Sequence, residues 1–303
     1  MPVTNPYAAQ IAATPVREAQ VSVLGSDTRY WDYGPLDAPL TIVVVHGFRG
    51  EHHGLEPVVA QLDGIRIISP DLPGFGESTP MAKGSHDIAG YAAWLAEFVD
   101  SLGLAERPVI LGHSFGSIVS AAAVAGGLST PRLILINPIA APALAGPKAI
   151  LTGLAVFYYR AATWLPERLG LRLLSNSLIV RFITETMAET KNKGLRNWIH
   201  DQHLTYFSRF SDRSTVLDAF KASTSNNVMQ FAPDIHVPTL LIAASEDPIT
   251  TVADEQKLAA LLPDATLHVI PGVGHLIHYE TPRQAAGHII DFLGVGQLSA
   301  TSR

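Results

Sequence analysis

A serine hydroxyl attacks a carbonyl only with a base to take its proton and donors to hold the developing oxyanion. The chain carries candidates for each part. Gly112-His113-Ser114-Phe115-Gly116 has the form Gly-x-Ser-x-Gly. It follows an apolar run at 108–111 that reads as a strand, and precedes an Ala- and Val-rich stretch at 115–125 that reads as a helix. A serine on so tight a strand-to-helix turn is pushed out of the sheet into a cleft, and the flanking glycines relieve the crowding. The helix N-terminus adds amide donors and the positive end of a dipole. Ser114 is therefore the candidate nucleophile.

His275 is the candidate base. It ends Pro271-Gly272-Val273-Gly274-His275, a loop just after the last predicted strand. His268 falls inside that strand, and His278 lies beyond the glycine turn. His113 adjoins the nucleophile, so its side chain is expected to point elsewhere, and His46 is expected to shape a loop. The other seven histidines lack a comparable setting. Asp247, after the strand predicted at 239–243, is the candidate acid that fixes the tautomer of the base. Glu246 is its neighbouring alternative, and the ordinary role of such an aspartate is a turn or helix cap. The oxyanion donors expected are the backbone amides of Phe115 and of Phe48, the latter in His46-Gly47-Phe48-Arg49-Gly50. Asp71, opening Asp71-Leu72-Pro73-Gly74-Phe75-Gly76-Glu77-Ser78, is assigned to the tight loop that its Pro and Gly content dictates.

Other chemistries find no support. No Gly-x-Gly-x-x-Gly opens a helix after the first strand, and neither a phosphate loop nor His-Glu-x-x-His occurs. His52-His53 is not a metal constellation by itself. The absence of cysteine excludes a disulfide, a thiolate nucleophile and a Cys-ligated metal. Neither cofactor nor metal is expected.

The elements that must position these residues alternate. Residues 1–17 read as an irregular leader, and residues 21–24 and 28–33 as a hairpin around Gly25-Ser26-Asp27. Strands are predicted at 40–45, 65–69, 108–111, 133–136, 239–243 and 266–270. Helices are predicted at 55–62, 88–102, 115–125, 253–262 and 282–293. Strands alternating with helices imply parallel pairing and a sheet covered on both faces. From about 140 to 231 strand runs vanish and helical patterning rich in aromatic residues takes over. The expected division is thus a core of 1–138 and 233–303, with a helical cap of 139–232 inserted.

Composition agrees. A chain of 303 residues with 47% hydrophobic and 16% charged residues can bury a large apolar sheet. A net charge of −6 with no long basic run gives no electrostatic reason to expect nucleic acid or an anionic membrane. No secretory signal or membrane span is visible, so a cytoplasmic location is expected. A homodimer is left open.

Taken together, these residues resemble the α/β-hydrolase superfamily, in its serine-nucleophile branch. The matching pieces are Val45-His46-Gly47-Phe48, the Asp71–Ser78 loop, Gly112-His113-Ser114-Phe115-Gly116, Asp247, and Gly274-His275 with Glu280-Thr281-Pro282 behind it. The resemblance implies a mostly parallel eight-stranded sheet with helices on both faces, a helical cap, and cofactor-free hydrolysis of an ester or related acyl bond. Relatives with an aspartate nucleophile, the epoxide hydrolases and dehalogenases, are disfavoured by Ser114. Many relatives carry proline where this chain has Arg49, which leaves that loop's shape open. Carbon–carbon bond hydrolases often carry Asn before the nucleophile, so His113 tilts the reading toward esters. The expectation is a small, apolar acyl or alcohol substrate. The alternatives are a diketone carbon–carbon hydrolase and a slow or non-catalytic ligand receptor.

Overall fold

The computed structural model describes residues 3–142 and 149–295. One sheet is built in the order β1-β2-β4-β3-β5-β6-β7-β8. β1 (Val16–Val23) and β2 (Ser26–Tyr33) form the hairpin, and β2 lies antiparallel to β4 (Arg66–Pro70). β4, β3 (Thr41–Val45), β5 (Val109–His113), β6 (Leu133–Ile136), β7 (Thr239–Ala244) and β8 (Ala265–Ile270) run parallel.

Every residue of β5, β6 and β7 is buried, because crossover helices cover both faces. The two-residue repeat of a strand then sends neighbouring side chains into opposite cores. Val43, Val45 and Ile110 join a core with Tyr91, Trp94 and Phe98 of α3 (Ile88–Ser101) and Ile118 of α4 (Phe115–Ala125). Ile42, Val44 and Val109 join another with Val58 of α2 (Glu56–Val59) and Ile289 and Leu293 of α12 (Pro282–Leu293). Continuous apolar runs in the sequence are thus two interleaved faces.

Among the described residues five α-helices stand between β6 and β7: α5 (Ala149–Trp164), α6 (Glu167–Leu174), α7 (Ser177–Met187), α8 (Lys193–Tyr206) and α9 (Arg213–Ser225). Asn176, Asn192 and Asp212 cap α7, α8 and α9 by accepting from amides of their first turns, which lets short helices follow one another closely. The excursion leaves and returns at one place, since the Val228 amide donates to the Ile139 carbonyl at 2.8 Å. No described helix is long and apolar enough to cross a membrane.

Some expectations need correction. The leader contains a helix, α1 (Ala8–Ala13), and β1 begins at Val16. None of the α1 residues is buried. The leader is held instead by Tyr7, whose hydroxyl donates to the Tyr279 carbonyl at 2.6 Å and whose ring packs edge-on against Trp198. The helix predicted at 55–62 shrinks to α2 with a 3-10 turn before it at His52–Gly54. The final stretch holds α11 (Ile277–Glu280) ahead of α12, and α10 (Val252–Leu261) lies where a helix was predicted.

Candidate active site

Ser114 sits between β5 and α4 with φ 53° and ψ −118°, a left-handed backbone that a side chain tolerates only at a cost of about 1–3 kcal/mol. Close packing around it holds the turn. A Cβ on Gly116 would lie 2.1 Å from the Val45 carbonyl oxygen, and one on Gly112 would lie 2.4 Å from that of Gly116. The glycines let α4 start directly against β3 and β5. The Ser114 amide donates to the Ile136 carbonyl at 3.1 Å.

The structure brings the three distant side chains together. Ser114 Oγ lies 2.7 Å from His275 Nε2, and His275 Nδ1 lies 2.7 Å from Asp247 Oδ2. Asp247 is buried, which pushes its pKa up. The opposing effects win: His275, by charge and hydrogen bond, and donation from the Ile249 amide (2.8 Å) and Asn137 Nδ2 (2.9 Å) hold the carboxyl below its usual range. Asn137 was not singled out in the sequence. It ends β6 with φ 44°, and the only local signal was an asparagine before a proline at a strand end. Glu246 takes no part in this chain of hydrogen bonds; its carboxylate accepts from Ser245 Oγ.

Phe115 is the first residue of α4, so its amide has no acceptor within the helix. The Phe48 amide makes no hydrogen bond among the described residues. The two rings meet edge-on, 6.3 Å between centroids. His46 shapes its loop as expected: Nδ1 donates to the Gly47 carbonyl at 2.8 Å and Nε2 accepts from the Leu72 amide at 2.8 Å. Asp71 also serves its loop, accepting from the amides of His52 and Glu77, both at 2.8 Å. Its third contact is His52 Nδ1 at 3.0 Å, and His53 Nδ1 pairs with Glu51. Glu51, His52 and His53 place metal-capable atoms within 4.8 Å of one another, but these pairings already engage both Nδ1 atoms.

Arg49 is what the sequence left open. Its side chain is completely buried, with φ 58°. Nε donates to the Phe207 carbonyl (2.9 Å), Nη1 to the Tyr159 hydroxyl (3.1 Å), and Nη2 to the Leu174 carbonyl (2.8 Å) and to Ser208 Oγ (3.2 Å). The guanidinium also lies 4.4 Å from the Phe207 ring centroid. No carboxylate pairs with it among the described residues. One side chain thus fastens the loop that carries Phe48 to α5, α6 and the end of α8.

A cavity of about 470 Å³ opens over Ser114 and His275. Its walls are largely apolar and come from Phe48, Ile139, Ile183 of α7, Phe207 and Phe220 of α9. His113 and His278 line it from the sheet side and His203 from α8. His113 does not point elsewhere as expected: its ring lies 4.2 Å from that of His278 and 5.8 Å from that of His275. Burial lowers the pKa of His113 and of His203 from 6.5 to about 3. Below pH 6.5 the unfolded chain therefore takes up protons that the folded chain refuses. Their contribution is full above that value and is lost as pH falls towards about 3. Each should cost up to about 2 kcal/mol of stability by pH 5. Thermal melts between pH 7.5 and 5 should fall steadily, and His203→Gln should flatten the fall. A melting temperature indifferent to pH over that range would contradict the assignment.

The comparisons with known proteins give the family and the fold. The model of the alpha/beta hydrolase family matches residues 42–287, and the chain belongs to that family. It is a hydrolase. It is 26% identical over 299 residues to a 2-hydroxy-6-oxononadienedioate/2-hydroxy-6-oxononatrienedioate hydrolase of Pseudomonas putida, covering 92% of this chain and 94% of that one. It is 23% identical over 268 residues to Lipase 1 of Psychrobacter immobilis, covering 84% and 77%. An esterase from Exiguobacterium antarcticum superposes with a TM-score of 0.75 at 17% identity, over 92% of this chain and all of that one, which speaks for the fold alone.

Proposed function

We propose that the protein hydrolyses a carboxylic ester of a small, apolar substrate through an acyl-enzyme on Ser114. The observation that carries the reading is the hydrogen-bonded series from Ser114 Oγ through His275 to Asp247 at the floor of an apolar cavity. His275 Nε2 takes the proton as Ser114 Oγ attacks the carbonyl carbon. Asp247, held by Asn137 and Ile249, keeps the Nδ1 proton of His275 in place and stabilises the imidazolium. The amides of Phe48 and Phe115 receive the oxyanion. The tetrahedral species then collapses, His275 returning the proton to the departing alcohol. Water deprotonated by His275 repeats the attack and frees the acid. The helices α5 to α9 act as a cap that selects the substrate.

The relative from Pseudomonas putida supports a second reading, cleavage of a carbon–carbon bond in a diketone. Its named substrates are dioates, which carry two carboxylates. Among the described residues the Lys or Arg lining the cavity is Arg49, which already donates four hydrogen bonds to protein. That favours a neutral ester over a dianion.

The test is hydrolysis of p-nitrophenyl esters of increasing acyl length, with mass spectrometry after treatment with an alkyl fluorophosphonate. Turnover with one phosphonyl adduct on the peptide carrying Ser114 is expected, and the best chain length sizes the cavity. No turnover on any ester, with ultraviolet-detected cleavage of a dienedioate, would establish the carbon–carbon reaction instead.

A further inference from the structure

The outer surface of α5 to α7 carries exposed apolar and basic side chains, with Glu167 and Glu185 as its acidic ones. Phe157 and Trp164 on α5 are 59% and 70% exposed, and Leu178 and Phe182 on α7 are 76% and 59% exposed. The rings of Phe157 and Trp164 touch edge-on at 6.1 Å, so these two form one exposed aromatic pair. Leu154, one turn before Phe157, and Phe182 also line the catalytic cavity. The exposed apolar surface is therefore continuous with the mouth of that cavity. A patch of this kind marks an interaction site.

Charge says with what. Arg160, Arg168, Arg172 and Arg181 stand exposed on the same three helices, and none has an ion-pair partner among the described residues. Residues 139–232 hold eleven Lys and Arg against six Asp and Glu, a net +5, while the rest holds ten against twenty-one, a net −11. The overall −6 is the sum of these two opposite charges, so it does not speak against an anionic membrane as a partner of the 139–232 stretch.

We propose that this surface docks on an anionic lipid bilayer, with the cavity mouth facing the lipid. Phe157, Trp164, Leu178 and Phe182 enter the boundary between head groups and acyl chains, and the arginines meet the phosphates. The acidic remainder of the molecule is repelled, which fixes the orientation. A second copy fits less well: a two-fold dimer through this face would set one face with unpaired arginines against an identical one. Docking does not depend on the ester reading, because binding is measured without turnover.

The experiment is co-sedimentation of the protein with vesicles of phosphatidylcholine alone and of phosphatidylcholine mixed equally with phosphatidylglycerol. Each arginine near such a surface multiplies partitioning by about 5-fold, so a preference of at least about 10-fold for the mixed vesicles is expected, lost on adding salt. Arg168→Glu with Arg172→Glu should abolish the preference, and Phe157→Ser with Trp164→Ser should weaken binding about 10-fold or more. Unchanged melting temperatures show that each variant is folded. Equal partitioning onto both vesicles, no binding to either, or wild-type binding by the charge-reversed variant would overturn the proposal. So would a wild-type dimer in sedimentation velocity that the Phe157→Ser, Trp164→Ser variant loses.

Discussion

Ser114→Ala is expected to lower kcat for ester hydrolysis by about 10⁴-fold or more while leaving KM near its wild-type value. In the proposed scheme the hydroxyl oxygen forms the covalent bond, and Ser114 Oγ lies 2.7 Å from His275 Nε2. The amides of Phe48 and Phe115 and the cavity walls stay in place, so substrate still binds and a residual rate over water persists. The change should leave stability almost untouched, because alanine keeps the same left-handed strain. Ser114→Gly should instead melt higher by several degrees, because glycine adopts φ 53° freely. Paired measurements of kcat and melting temperature on the two variants separate the chemical role from the conformational cost. A Ser114→Ala protein retaining more than about one hundredth of wild-type activity would sink the acyl-enzyme scheme.

Substitutions of Arg49 should produce the largest loss of stability, about 3 kcal/mol, together with a fall in kcat of about 10²-fold. Two effects compete. Burying a guanidinium without a carboxylate costs several kcal/mol, and Arg49→Met would recover that. Against it stand four hydrogen bonds from a charged donor, two of them to the carbonyls of Phe207 and Leu174. Those acceptors would be left without this partner beneath the inserted helices, at about 1–3 kcal/mol each. The loss wins. Arg49→Lys should be nearly as damaging, because a single ammonium cannot span Tyr159, Leu174 and Phe207 as the planar fork does. Activity falls because the Phe48 amide rides on the same loop, one residue away. Chemical denaturation with kinetics on both variants checks this. A Met variant as stable as wild type would show that desolvation cancels the bonds.

The contrast between these two residues explains what the sequence could reveal. Ser114 announces itself through neighbours in the chain: the glycines at 112 and 116, the apolar strand before and the small-residue helix after. The strands were legible for the same reason, since apolar β-branched runs closed by Gly, Asn or Pro are local patterns. His275 and Asp247 were recoverable because each follows a strand in a loop of restricted composition. Arg49 has no such signature. Its partners lie 110 to 159 residues away, so nothing near it distinguishes a buried clamp from a solvated surface arginine. The same applies to α1, whose order rests on Tyr7 reaching Tyr279, and to Asn137, whose amide meets Asp247 110 residues on. The aromatic residues of the insertion were visible as a set. Which of them would line the cavity, as Phe207 does, and which would face solvent, as Trp164 does, depends on helix packing that composition does not encode.

The single hydrogen bond between Val228 and Ile139 has a bearing on inheritance. The chain departs from the sheet and rejoins it at adjacent points, so the stretch between can be replaced by another of different length without re-registering any strand. Recombination could import a foreign set of helices and leave the reacting groups where they were. One tether that would not transfer is Arg49, which reaches from the loop after β3 into carbonyls specific to this set. A grafted replacement would have to evolve its own acceptors for that guanidinium, or come with a different residue at position 49.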